Sequence, residues 1–125
     1  MSNLNLLGLR TACYYVSDIN EAKNWYSKVL GIEPYFDEPF YVGFNVAGYE
    51  LGLQPEEKNT EKKAVGVHLY WGVENITEAY EQILELGAKS FEAPTEVGDG
   101  IMTAMLKDPW ENLFGLIYNP HFKLQ

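Results

Sequence analysis

The chain has 125 residues, the size of one compact domain or of two half-size modules that share a core. Its 9 basic and 18 acidic residues give a formal net charge of -9, so it lacks the clustered Lys and Arg that nucleic acid or an anionic membrane requires. We therefore expect neither as a partner. The single cysteine, Cys13, excludes an intramolecular disulfide and a zinc site of several thiolates. No run approaches the ~20 apolar residues of a membrane span, and a cytoplasmic location is the default expectation.

The first half of the chain reads as a strand, a helix and three further strands. Asp18 stands where a helix N-cap belongs and Glu21 follows it at the spacing of a capping box, while Gly31 is placed to end the helix. Ala47 and Gly48 are predicted to form a tight turn between the last two strands. In chain order, the predicted elements are a strand at Leu9–Val16, a helix at Ile19–Leu30, and strands at Glu33–Asp37, Phe40–Val46 and Tyr49–Leu53.

The second half repeats this pattern. The segment that begins at His68 matches the segment that begins at Thr11, and Asn75 followed by Glu78 repeats the capping box. The predicted elements are a strand at Val65–Val73, a helix at Ile76–Leu84, and strands at Ser90–Val97, Ile101–Lys107 and Leu113–Tyr118. The sequence therefore predicts an α+β fold of two βαβββ modules. Module one covers about 6–54, a charged linker covers 55–63, and module two covers about 64–120.

In this order the motifs resemble the vicinal-oxygen-chelate superfamily of glyoxalase, bleomycin-resistance and extradiol-dioxygenase proteins. They are Val16-Ser-Asp-Ile-Asn-Glu-Ala, the Trp25-Tyr26 to Leu30-Gly31 helix end, Gly66-Val-His68-Leu, Val73-Glu-Asn-Ile and the Asp108-Pro109 hairpin. The resemblance implies paired half-barrels whose cupped sheets face a ligand cavity. It also implies a small-molecule ligand and a homodimer, in which cavities are sometimes built across the partner.

Metal-dependent members of this superfamily hold a divalent ion with His, Gln or Glu at the first and last strands of each module. Carried onto this sequence, these positions are Thr11, Glu50, His68 and Gly115. Thr is a poor ligand and Gly offers no side chain, whereas an open metal site normally has three protein ligands. No cofactor is therefore expected, and the alternative is a divalent metal held by His68 and Glu50. The losses argue against glyoxalase I, extradiol-dioxygenase and fosfomycin-resistance chemistry.

Strand alternation predicts which other side chains line the cavity. The expected catalytic candidates are His68, as an acid or base, and Glu50, whose carboxylate needs a partner on a buried face. Gly52, Gly72 and Gly115 would leave room for a ligand, although a strand bend explains such glycines equally well. The predicted ligand-binding residues are Thr11, Cys13, Tyr15, Gln54, Tyr70, Gly72 and Gly115.

Three functions fit this sequence. The first is a bleomycin-resistance-like protein that binds a small organic molecule in an aromatic cavity without a complete metal site. The second is a metal-dependent lyase, isomerase or dioxygenase in which an ion at His68 and Glu50 polarises a substrate oxygen. The third is a scaffold role for the dimer.

Overall fold

The computed structural model describes residues 7, 9–56 and 68–124. The chain divides into two compact units, Met1–Pro55 and Glu56–Gln125. The division falls at the start of the predicted linker, 55–63, of which residues 57–63 lie outside the described residues. Among the described helices, none has the length and apolar character needed to cross a membrane.

The first unit is a four-stranded sheet with one helix on one of its faces. Its strand order is β1-β4-β3-β2, with β1 parallel to β4 and the other neighbours antiparallel. A two-residue turn links β3 to β4, and Ala47 and Gly48 take the positive φ angles, 52° and 94°, that such hairpins require. The elements are β1 Thr11–Val16, α1 Ile19–Leu30, β2 Phe36–Glu38, β3 Tyr41–Val46 and β4 Tyr49–Pro55.

The ends of α1 form as the sequence predicts. The Asp18 side chain accepts a hydrogen bond from the Glu21 backbone N–H at 3.0 Å, and Gly31 ends the helix with a φ of 70°. The helix buries Ala22 and Tyr26 against the sheet. The sheet residues of this core are Ala12, Tyr14, Val16, Val42, Phe44, Leu51 and Leu53.

The second unit has the same topology, with strand order β5-β8-β7-β6 and a parallel β5–β8 pair. Asn75 caps its helix by accepting a hydrogen bond from the Glu78 backbone N–H at 3.1 Å. The core lies between this helix and one face of the sheet, where Ile83 and Leu106 are buried. The elements are β5 Tyr70–Gly72, α2 Ile76–Glu85, β6 Lys89–Gly98, β7 Ile101–Lys107 and β8 Leu113–Tyr118.

The predicted α+β architecture of two βαβββ modules is confirmed, with changes at several strand ends. The first strand begins at Thr11 rather than Leu9, whose side chain is exposed. The strand predicted at Val65–Val73 is described only from residue 68, and its ladder is limited to Tyr70–Gly72. His68 thus precedes β5 instead of lying within it, so strand alternation does not fix the direction of its side chain.

Candidate functional site

The face of the first sheet that lies away from α1 gathers most of the predicted ligand-binding residues; we call it the first open face. Burial alternates strictly along β1, with Thr11, Cys13 and Tyr15 exposed and their neighbours buried. The parallel ladder sets these residues directly beside Glu50, Gly52 and Gln54 of β4. Register and burial therefore put these side chains on one face of the sheet, and their role in ligand binding stays a prediction.

Glu50 is the centre of a hydrogen-bonded cluster on this face. The Tyr35 hydroxyl donates to Oε1 of Glu50, and the Tyr41 hydroxyl donates to Oε2. The Cys13 sulfur lies 3.9 Å from the Tyr41 hydroxyl. The sequence indicated that a partly buried carboxylate here would need partners, and two phenols supply them.

Two glycines make room for the tyrosines. Gly43 and Gly52 are paired across β3 and β4. A Cβ atom on Gly52 would collide with the Tyr41 ring, 2.6 Å from its Cζ, and one on Gly43 would lie 3.1 Å from Cε1 of Tyr35. The expected free space above Gly52 is thus filled by Tyr41 itself, which is how this side chain reaches across the sheet to Glu50.

The cluster keeps both phenols protonated. The hydrogen bond to Glu50 raises the pKa of Tyr35 above its ordinary value of 10.0, and desolvation and the Glu50 charge act in the same direction. Burial raises the pKa of Tyr41, and the hydrogen bond to Glu50 adds to the effect. At neutral pH both groups are therefore hydrogen-bond donors that orient the carboxylate.

Aromatic rings border the cluster on the β2 side. Phe36 pairs with Gly43 and so shares the open face, where its ring centroid lies 6.1 Å from that of Tyr41. Phe40, at the β2–β3 turn, has its centroid 6.0 Å from that of Phe36 and is 66% exposed. Tyr35 is 62% exposed. The carboxylate is thus flanked by rings that are accessible to solvent, the combination of apolar surface and few polar groups that is typical of small-molecule sites.

The second unit holds the other predicted site residues, and its open face differs from the first open face in the space beside its glycines. Tyr70 is 42% exposed, and nothing lies within 4 Å of a Cβ built on Gly72. A Cβ on Gly115 would meet the Leu69 carbonyl oxygen, and would lie 2.9 Å from the Tyr70 ring. The expectation that Gly115 leaves room for a ligand is therefore wrong, because its own neighbours occupy that space.

Strand register also corrects the position assigned to Gly115. Cys13 pairs with Gly52 in the first unit, and Tyr70, the repeat counterpart of Cys13, pairs with Gly115 in the second. Gly115 is thus the counterpart of Gly52, and the counterpart of Glu50 is Leu113. On either assignment the last strand of the second unit offers no ligating side chain.

The two residues expected to ligate a divalent metal, Glu50 and His68, belong to different units. Both carboxylate oxygens of Glu50 accept phenol hydrogen bonds, and His68 is an exposed residue of the other unit, with its ring 6.5 Å from that of Tyr70. Within residues 7, 9–56 and 68–124, no three His, Cys, Asp or Glu side chains are grouped as a metal site would require.

Sequence reasoning missed Tyr35 and Tyr41. A signal for Tyr41 existed, because the two-residue turn at Ala47 and Gly48 fixes the hairpin register and places Tyr41 on the same face as Glu50. Tyr35 precedes β2, where its backbone N–H donates to the Gly43 carbonyl at 2.9 Å. No periodicity in the sequence predicts this hydrogen bond between Tyr35 and Gly43.

Residues 8–116 match the sequence profile of the Glyoxalase/Bleomycin resistance protein/Dioxygenase superfamily. The chain belongs to this superfamily. The match includes both repeats and the whole Glu50 cluster, which confirms the resemblance deduced from the motifs. No curated protein shows significant sequence similarity to the chain.

Solved structures of this superfamily share the fold. The fosfomycin resistance protein FosX from Listeria monocytogenes superposes with a TM-score of 0.76 at 17% identity, covering 94% of this chain and 97% of that one. A glyoxalase-related enzyme from Fulvimarina pelagi gives 0.75 at 16%, covering 96% and 94%. A superfamily member from Sphaerobacter thermophilus gives 0.73 at 23%, covering 91% and 98%. At these identities the likeness extends to the fold alone.

Proposed function

We propose that this protein binds a small organic molecule on the first open face, at the cluster of Glu50, Tyr35 and Tyr41, without a complete metal site. The observation that carries the proposal is a carboxylate fixed by two phenols and bordered by exposed aromatic rings. Rings supply apolar contact area, and a few oriented polar groups supply specificity.

The alternative is a metal-dependent lyase, isomerase or dioxygenase that uses His68 and Glu50. It would need at least one further ligand, and neither Leu113 nor Gly115 on the last strand of the second unit has a ligating side chain. Metal analysis of protein purified without chelator separates the two. We expect far less than one divalent ion per chain and no turnover of methylglyoxal with glutathione. Stoichiometric metal that His68→Ala removes would favour the enzyme.

Ligand binding is tested with a pair of matched tyrosine variants. Tyr15 and Tyr70 are 43% and 42% exposed, one on the open face of each unit. A set of small aromatic compounds is screened by saturation-transfer NMR, and the best binder is titrated against the variants. We expect Tyr15→Ser to weaken binding about fivefold, the scale of one lost aromatic contact, and Tyr70→Ser to leave it unchanged. Equal losses, or a loss in Tyr70→Ser alone, would place the site elsewhere.

The superfamily resemblance also leads us to propose a homodimer. Light scattering on the purified chain would then give about twice the monomer mass of 14.2 kDa. A mass equal to that of the monomer at micromolar concentration would contradict this proposal without affecting the ligand site.

A further inference from the structure

We infer that the Asp99–Gly100 peptide, at the tip of the β6–β7 hairpin, is a site of spontaneous covalent modification at which Asp99 rearranges to isoaspartate through a cyclic imide. The inference is independent of the proposed function, because this hairpin belongs to the second unit. It rests on the residue pair at the turn, on the position of the turn beyond the ladder, and on two side chains, Glu96 and His121, that contact the same peptide group.

Asp99 is the one aspartate of the sequence that precedes a glycine. The residues that follow Asp18, Asp37 and Asp108 are isoleucine, glutamate and proline. Imide formation requires the backbone nitrogen of the next residue to attack the aspartate Cγ atom. A side chain on that residue hinders the approach, and proline has no N–H to lose, whereas glycine presents neither obstacle.

The structure places this peptide beyond the β-ladder. Gly98 and Ile101 form the last pair of β6 and β7, so Asp99 and Gly100 are the two residues of the loop. Their φ angles are 54° and 78°, the positive values of a two-residue hairpin turn, and both residues are exposed. Ring closure at Asp99 therefore reorients solvent-exposed backbone and disturbs no buried side chain.

Glu96 lies where the reaction needs a proton acceptor. The Gly100 backbone N–H donates to Oε2 of Glu96 at 3.3 Å. An amide nitrogen attacks a carbonyl carbon only as its proton is removed, and a carboxylate within hydrogen-bond distance can accept that proton as a general base. The side chain of Glu96 thus assists the attack of the Gly100 nitrogen.

His121 contacts the other end of the same peptide group. Its Nε2 atom lies 2.9 Å from the Asp99 carbonyl oxygen, and because a carbonyl oxygen can only accept, Nε2 is the nitrogen that carries hydrogen. The His121 backbone N–H donates to Oδ1 of Asn119 at 2.9 Å, which holds this residue beside the turn. Negative charge develops on the Asp99 carbonyl oxygen as the Gly100 N–H loses its proton, and the imidazole N–H stabilises that charge.

The rearrangement needs water as its co-reactant and no oxidant or reductant. The Gly100 nitrogen forms a bond to Cγ of Asp99 in its carboxylic acid form, the N–H proton passes to Glu96, and the hydroxyl group leaves Cγ with that proton as water. A second water molecule then adds to one carbonyl carbon of the imide and breaks its bond to the Gly100 nitrogen. Opening at Cγ restores aspartate, whereas opening at the main-chain carbonyl carbon leaves isoaspartate.

Incubation of the full chain in oxygen-18 water at pH 7 tests this inference. Each passage through the imide incorporates one oxygen atom from water at residue 99, and fragment mass spectrometry locates the label and separates isoaspartate from aspartate. We expect label and isoaspartate to accumulate at Asp99 and neither at Asp18 or Asp37. A peptide of residues 95–103 serves as the positive control for the assay.

Variants test the two assisting side chains. Glu96→Gln should slow labelling about 10-fold, less than the loss of a buried catalytic base, because Glu96 is exposed. His121→Ala should slow it about fivefold, the scale of one hydrogen bond. Glu92→Gln, which removes the same charge from another exposed residue of β6, is the matched control and should leave the rate within about twofold.

Two results would overturn the inference. The first is an intact chain that stays unlabelled at Asp99 while the peptide of residues 95–103 is labelled, which would show that the folded turn prevents ring closure. The second is labelling at Asp99 with the same rate in the wild type, Glu96→Gln and His121→Ala, which would show that neither side chain assists the reaction.

Discussion

The two units share one strand order and one helix position, yet their open faces differ in chemistry. The first unit has Glu50 where the second has Leu113, and Asn45 where the second has Lys107. In the first unit, Gly52 leaves room for the Tyr41 side chain, which donates a hydrogen bond to Glu50. In the second, Gly115 is covered by the Leu69 backbone and the Tyr70 ring.

This difference shows that, in a duplicated fold, one face of each sheet maintains the architecture while the other face is free to diverge. The buried residues that face the helices are aliphatic or aromatic in both units, because each sheet needs one apolar face to pack against its helix. The open faces are under no such constraint. Divergence of a few residues there is enough to give one unit a polar cluster and the other an apolar surface with its own cation.

The largest expected effect compares the two hairpins. Asp108 is fully buried, and its carboxylate accepts hydrogen bonds from the backbone N–H groups of Trp110 and Asn112 at 2.9 and 2.8 Å. Asp108→Ala should lower the free energy of unfolding by about 3 kcal/mol, because buried donors lose a charged acceptor. In the first unit, Asn45→Ala removes one exposed bond to Gly48 and should cost about 1 kcal/mol. Urea unfolding measures the free energy of unfolding of both variants. Similar losses in the two variants would contradict the expected difference between the hairpins.

A medium effect is expected from alanine at glycines of the second open face. Gly115→Ala should cost about 1–3 kcal/mol, because the new methyl group meets the backbone of Leu69, which does not move easily. Gly72→Ala is the matched control, since its Cβ would enter open space and should change the stability by less than about 0.5 kcal/mol. Thermal unfolding of the two variants tests this, and equal midpoints would mean that the space above Gly115 is not filled.

Gly52→Ala should change the pKa of Tyr41 more than the stability of the fold. The new Cβ would meet the far end of the Tyr41 side chain, which can rotate away, so we expect a loss of less than about 1 kcal/mol. Tyr41 would then leave Glu50 and the partly buried position that raises its pKa. Tyrosine NMR resonances followed through a pH titration should show its pKa falling towards 10.0, and an unchanged titration would show that Gly52 does not govern the cluster.

The smallest effect concerns Glu50 and alkaline pH. Both folded pKa values lie above the ordinary value of 10.0, so these phenols stabilise the fold fully below that pH and lose the contribution as the pH rises through their folded pKa. In Glu50→Gln, the pKa of Tyr35 should fall most, because its hydrogen bond to Glu50 is the main cause of its shift. Tyr41 should stay raised through burial. Near-ultraviolet titration of the phenolate groups measures both pKa values, and the Tyr35→Phe variant identifies the signal of Tyr35. An equal fall in the pKa of Tyr35 and of Tyr41 would contradict these causes.

Patterns in the sequence predicted most of the fold. The capping residues Asp18 and Asn75 and the turn at Ala47 and Gly48 predicted helix and hairpin positions, because each acts within a few residues. The repeat predicted that both halves have the same order of elements along the chain. Alternation along β1 also predicted that Thr11, Cys13 and Tyr15 share the open face with Glu50.

The remaining site features depend on contacts that no local pattern encodes. Tyr35 reaches Glu50 through a backbone bond to β3, from a segment without periodicity. The space above Gly115 is filled by Leu69 and Tyr70, which lie at the start of another strand. The parallel register that makes Gly115 the counterpart of Gly52, and not of Glu50, is set by the whole sheet. Sequence alternation gives the face of a side chain but not its neighbours.

Amide chemical-shift mapping with the aromatic compound that binds best in the NMR screen tests the central claim most directly. A ligand held by the Glu50 cluster should shift the backbone resonances of Cys13, Tyr41, Glu50 and Gly52, and leave those of Gly72 and Leu116 in place. Shifts confined to Tyr70–Gly72 and Leu113–Tyr118, with Glu50 and its phenols unaffected, would assign ligand binding to the second unit and contradict this account.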